Sequence, residues 1–82
     1  MGDMRAETFK RLQRTIATEV NMLEEEITEA TEIEQISGDA LDLVEVVLAI
    51  EEEWGTDIPD SAAASWQTVS DMVDYLVALD QV

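Results

Sequence analysis

The sequence predicts an all-α fold, a four-helix bundle of three long helices and one short one with a long first loop. Three observations carry that prediction. Apolar residues recur at helical spacing in three separate stretches; Asp39 and the pair Thr68 and Asp71 stand where helix-capping residues belong; and Gly55 with Ile58-Pro59-Asp60 supplies a stop and a turn between helices. With 82 residues, 46% of them hydrophobic, residues 1–82 read as one small domain. A single core is then only marginally sufficient.

The first helix spans about residues 5–20, because Phe9, Leu12, Ile16 and Val20 fall on one side. Leu23 continues the same phase. The basic residues of this helix lie off the stripe, facing water or nearby carboxylates in exposed pairs that are each weak. Residues 21–38 form a long connection in which Ile27, Ile33 and Ile36 are spaced among Glu24, Glu25, Glu26, Glu29, Glu32 and Glu34. A loop this long needs anchoring, and the isoleucines are the expected pins. Its acids lack the alternation and the sixth-position glycine of a calcium loop, so no specific metal site is expected.

The central helix runs from about residue 40 to Trp54, with Asp39 as N-cap and Asp42 in the favourable first turn. Leu43, Val46, Val47, Ile50 and Trp54 share about 100° of arc, the width of a core-facing stripe. On the other side Leu41, Val44 and Leu48 are interleaved with Glu45, Glu51 and Glu52. Carboxylates keep that second strip at water, which makes it a candidate binding surface. Gly55 ends the helix in a left-handed cap. A short third helix follows from residue 60 to about 65, whose Ala62, Ala63 and Ala64 permit close approach to a neighbour. Trp66 is expected against the core. Thr68-Val69-Ser70-Asp71 reads as a capping box for the last helix. Its buried stripe is Val69, Met72, Val73, Leu76 and Leu79, with Asp74, Asp80 and Gln81 outward.

Composition narrows the function. Without cysteine or histidine, thiol catalysis, histidine acid-base chemistry and the usual zinc sites are excluded. No signal peptide or membrane span is expected, since no apolar run is longer than that at residues 46–50, and a cytoplasmic protein is the default. Ala6 stands where a myristoylation motif needs Ser or Thr. Net charge is −16, and all four cations, Arg5, Lys10, Arg11 and Arg14, lie in the first fourteen residues. The remaining 68 residues carry 18 acids and no base. Nucleic acid and anionic membranes would be repelled and basic protein patches attracted. Surface acid can also serve solubility alone, but the acid-laced apolar strip favours partner binding.

Asp39-Ala40-Leu41-Asp42, the Val/Leu/Glu helix behind it, the run Glu51-Glu52-Glu53-Trp54-Gly55-Thr56-Asp57-Ile58-Pro59-Asp60 and the later Thr68-Val69 together resemble an acyl carrier protein, of the phosphopantetheine-carrier family. The resemblance covers about residues 8–79 and is strongest over 38–60. It implies a carrier and not an enzyme, a bundle of the acyl-carrier type, and a role in fatty-acid or polyketide-type synthesis. In the family signature, Asp-Ser-Leu, the serine carries 4′-phosphopantetheine, whose thiol holds acyl groups as thioesters that can fold back between the helices. Carried onto this sequence, Ala40 is the attachment position, with Asp39, Leu41 and Asp42 flanking it for recognition. Leu41, Val44, Glu45, Leu48, Glu51 and Glu52 become the partner-facing set. The implied partners are basic patches of acyl-processing enzymes and of a phosphopantetheinyl transferase, met by a monomer.

Ala40 departs from the family at the one atom its chemistry needs. An alanine has no hydroxyl and cannot form the phosphodiester, so the chain as written is expected to carry no arm. Ser37 lies upstream among neighbours that do not match the signature. Two accounts are open: a Ser-to-Ala change that locks an ordinary carrier in its apo form, or a natural homologue that lost carriage and kept a role as an acidic interaction module. An acidic mimic of nucleic acid fits poorly, because the acids do not repeat at phosphate spacing.

Overall fold

In a computed structural model, which describes residues 4–36 and 40–80, without the side chains of 40–42 and 80, the first amphipathic stretch forms α1 (Met4–Val20). Its buried line is Thr8, Leu12, Ile16 and Ala17, rotated from the expected stripe, and Phe9 and Val20 sit half-buried at its margins. The rotation follows from geometry: α1 packs against both of the other long helices, so its deepest face points between them. Asn21 stops the helix in a left-handed backbone, φ 58°, and Met22 N–H donates to Ala17 O at 3.2 Å, the hydrogen bond that closes such helix ends. Leu23 therefore lies beyond the helix and is 61% exposed, against the expectation that it would extend the stripe.

The long first connection is pinned where the isoleucines predict, with Ile27, Ile33 and Ile36 all buried. It also carries structure that the sequence pattern did not suggest, a 3-10 turn (Glu24–Glu26) and the one-turn helix α2 (Ile33–Ile36). Backbone groups do much of the anchoring. Gln13 Nε2 donates to Glu24 O and Ile27 O from α1. Ile33 N–H reaches Gln67 O, Val69 N–H reaches Thr31 O and Ser70 N–H reaches Glu29 O, each at 2.9 Å. Arg5 closes the same seam, donating to Glu29, Ser70 and Asp74. These bonds satisfy polar backbone that would be costly to bury unpaired.

The central helix α3 (Ala40–Trp54) has the bounds its pattern predicts. Val46 and Ile50 are fully buried, and Leu43, Val47 and Trp54 pack around them. Gly55 takes φ 63°, and Thr56 N–H donates back to Glu51 O at 3.2 Å, so the left-handed cap is present. The short α4 (Asp60–Ser65) follows. Trp66 is buried and meets the Tyr75 ring edge-on at 5.7 Å. The last helix, α5 (Val69–Asp80), buries Val69, Met72, Val73 and Leu76, with Leu79 at its edge. Asp71 Oδ2 accepts the backbone N–H groups of Gln67 at 2.7 Å and Thr68 at 3.1 Å. These bonds hold its carboxyl below the usual range, the capping role read from the sequence. Asp74 faces out as expected; Gln81 and the side chain of Asp80 lie outside the described residues.

Fold and sequence thus agree on an all-helical bundle with three long helices, joined by the short α4 and the additional α2. The core is one cluster drawn from α1, the first connection, α3 and α5, together with Ile58 before α4 and Trp66 after it. Each of its large side chains contributes roughly 1.5–3 kcal/mol against the entropy of ordering the chain.

Candidate functional site on the central helix

α3 begins at Ala40, so the implied attachment position stands in the first turn of a long helix. Backbone N–H groups there lack intrahelical partners and the dipole is positive, an arrangement suited to a phosphate. Ser37, Gly38 and Asp39 lie outside the described residues, as do the side chains of Ala40, Leu41 and Asp42, and the capping role expected of Asp39 lies there with them. What the described residues show is the helix behind the signature.

Along its outer face Val44 and Leu48 are 52% and 54% exposed, one turn apart and flanked by the exposed Glu45 and Glu52. An apolar pair ringed by carboxylates stays soluble alone and gains when a basic surface covers it. Glu51 differs from its neighbours. It is half-buried, and its Oε2 accepts the Ile58 N–H at 2.6 Å. Glu53, outside the expected partner-facing set, is exposed but paired with α1. Arg11 donates from Nε to Glu53 Oε1 at 2.9 Å and from Nη2 to Glu53 O at 2.6 Å, and its guanidinium lies over the Trp54 ring at 4.5 Å. A cation there complements the negative end of the helix and adds a cation–π contact.

Between α3 and α4 runs a groove of about 310 Å³, walled by Leu43, Val44, Val47, Leu48, Ile58 and Ala63. Periodicity places Leu43 and Val47 on the core stripe, yet both help to line this opening. The small residues of α4, read as permitting close approach, are the signal that pointed to it. A wider hollow of about 600 Å³ between α1 and α3 has charged walls, including Lys10, Arg14, Glu19 and Glu52, and offers little to an apolar ligand. Among the described residues no cluster of acids could hold a metal ion, and no helix is long and apolar enough to cross a membrane.

A small helical bundle with an acid-flanked apolar strip on one helix and an apolar groove beside it defines a carrier-type domain. The chain belongs to the family described as phosphopantetheine attachment site, whose model matches residues 10–76. Acyl carrier proteins from three strains of Clostridium perfringens (SM101, ATCC 13124 and 13) are each 42% identical over 69 residues, 83% of this chain and 91% of theirs. Among solved structures, the acyl carrier protein from Enterococcus faecalis aligns with a TM-score of 0.70 and 29% identity, covering 90% of this chain and 95% of that one. The family implies 4′-phosphopantetheine for its members.

Proposed function

We propose that this chain is the scaffold of an acyl carrier protein, held without its arm by Ala40. The observation that carries the reading is the exposed Val44–Leu48 pair between Glu45 and Glu52, directly behind the attachment position. In a working carrier of this design the arm's thiol carries acyl groups between enzymes of fatty-acid or polyketide-type synthesis. Those enzymes and the transferase that installs the arm would meet the outer face of α3 through basic patches. Leu41, Val44, Glu45, Leu48 and Glu52 serve this contact, with Asp39 and Asp42 flanking the attachment point. The protein then works as a monomer and performs no catalysis of its own. Ala40 does not fit the covalent group, because it has no oxygen to bond the phosphorus.

The test restores that oxygen. Ala40→Ser, incubated with a phosphopantetheinyl transferase and coenzyme A, is expected to gain the mass of one arm, while the Ala40 chain stays unmodified. Failure of the serine form with several transferases would sink the carrier reading. The observation that favours a second reading is Ala40 itself: a natural alanine would make the chain an acidic interaction module that binds a basic partner without acyl chemistry. Sequencing the native gene separates the two, since a serine codon at position 40 marks an apo-locked carrier.

A further inference from the structure

We infer that Glu51 is a positioning residue, whose carboxylate latches the segment after α3 and thereby sets how far an unbranched apolar chain reaches between α3 and α4. The inference rests on reading that groove as the place where a carried chain shelters.

Glu51 holds the following segment twice. Its backbone oxygen accepts the Thr56 N–H at 3.2 Å, and its side-chain Oε2 accepts the Ile58 N–H at 2.6 Å. Among the described residues the second bond is the one side-chain hydrogen bond to residues 55–59. Pro59, before α4, makes no side-chain cap bond. Gly55, the pivot at φ +63°, has open space on its Cβ side. Ile58, fixed by the carboxylate, is 5% exposed and forms part of the groove wall.

Position makes the bond consequential. Glu51 lines both the 310 Å³ groove and a second hollow of about 550 Å³, bordered by Leu48, Gly55, Thr56 and Asp57. Leu48 and Glu51 line both hollows, while Gly55, Thr56 and Asp57 border only the second and Ile58 only the groove. With the latch closed, the groove is at the small end of ligand sites, which run from about 300 to 1,000 Å³. Ile58 is also held by burial in the core, so breaking the bond leaves it in place but frees its backbone to shift, which lengthens the groove toward the second hollow. Glu51 thus differs in task from Glu45 and Glu52, although helical position alone groups the three together.

Two substitutions separate latch from charge. Glu51→Gln removes the charge and keeps an oxygen that can accept from Ile58 N–H; Glu51→Asp keeps the charge on a side chain one methylene too short. Amide hydrogen exchange at Ile58, with Ile50 as the control for global folding, is expected to speed up about tenfold in Glu51→Asp and to stay near the parent rate in Glu51→Gln. Glu51→Ala, a better helix former, breaks the same bond and should follow Glu51→Asp if that variant folds poorly. NMR titration with 1-hexanol and 1-dodecanol, neutral probes that avoid the protein's charge, reads the groove. The preference for the longer alcohol should rise about fourfold in the latch-broken variants, the worth of roughly one more buried methylene, and stay unchanged in Glu51→Gln. Identical behaviour of Gln and Asp variants, an unchanged Ile58 rate in all of them, or no binding of either alcohol to any form would overturn the proposal. None of these readouts involves the transferase, so their failure is distinct from failure of the carrier reading.

Discussion

Val46 and Ile50 on one side of α3 are 1% and 0% exposed, while Val44 and Leu48 on the other side, of similar size and on the same helix, are 52% and 54% exposed. Intrinsic hydrophobicity cannot separate the pairs. The inner pair meets a core built from α1 and α5, and the outer pair meets none. Burial is thus decided by which face finds a partner within the chain, and the face that finds none remains available to another molecule. The carboxylates differ too: Glu45 and Glu52 beside the outer pair stay at water, Glu53 is equally exposed but paired with Arg11, and Glu51 is half-buried on a backbone amide.

The largest expected effect lies on the inner face. Ile50→Ala should cost about 2–5 kcal/mol of unfolding free energy, through lost burial and the cavity left behind. Urea denaturation checks it; a loss no greater than that of an outer-face truncation would erase the distinction between the faces. Salt should act next most strongly. With 18 acids and no base beyond residue 14, and only Arg5 and Arg11 in ion pairs among the described residues, folding concentrates unpaired negative charge. Raising salt from about 0.01 to 1 M shortens the screening length from about 30 to 3 Å, so Tm should rise. A Tm independent of salt would mean that the carboxylates are already too far apart to repel one another.

A smaller, pH-dependent effect is expected at Asp71. Its carboxyl is held below the ordinary value of 3.8 by the Gln67 and then the Thr68 backbone N–H groups. The folded state therefore favours the ionised form. That contribution is present above the unfolded value and is lost as pH falls through the lower folded one. Asp71→Asn should melt lower than the parent near pH 7, and the two melting curves should converge below about pH 4 as the parent's own carboxyl becomes protonated. Parallel curves down to the lowest pH would rule out the charge of Asp71 as the stabilising element.

Sequence pattern carried the long elements well because a helix with one buried face repeats its apolar residues with a fixed period. It located α3 from residue 40 to Trp54, the stop at Gly55 and the cap at Asp71. It misjudged Leu23, since a stripe continues on paper after Asn21 has turned the chain. It placed Leu12 and Ile16 at the centre of the buried face of α1 but left out Thr8 and Ala17, because periodicity does not register that two helices share that face. The seam between the first connection and α5 was invisible: the bonds of Ile33, Val69 and Ser70 are main-chain bonds with no side-chain signature. At the candidate site, the exposed strip of Val44 and Leu48 was legible from the carboxylates beside it. The engagement of Glu51 with Ile58 was not, for helical phase says where a side chain starts and not what its end reaches seven residues later.

On stability the outer face should respond least. Leu48→Ser removes a side chain already half at water, so its change in unfolding free energy is expected within about 0.5 kcal/mol. In the Ala40→Ser background the same substitution should slow transfer of the arm, because the apolar centre of a contact loses more on truncation than its charged rim does. Glu45→Gln should also slow transfer, but by an amount that fades as salt rises, since it acts through long-range attraction. If Leu48→Ser destabilised the fold as Ile50→Ala does, Leu48 would belong to the core and the outer face would not be a surface. If it left both stability and transfer untouched, the exposed pair would be ordinary surface and the carboxylates alone would guide the partner.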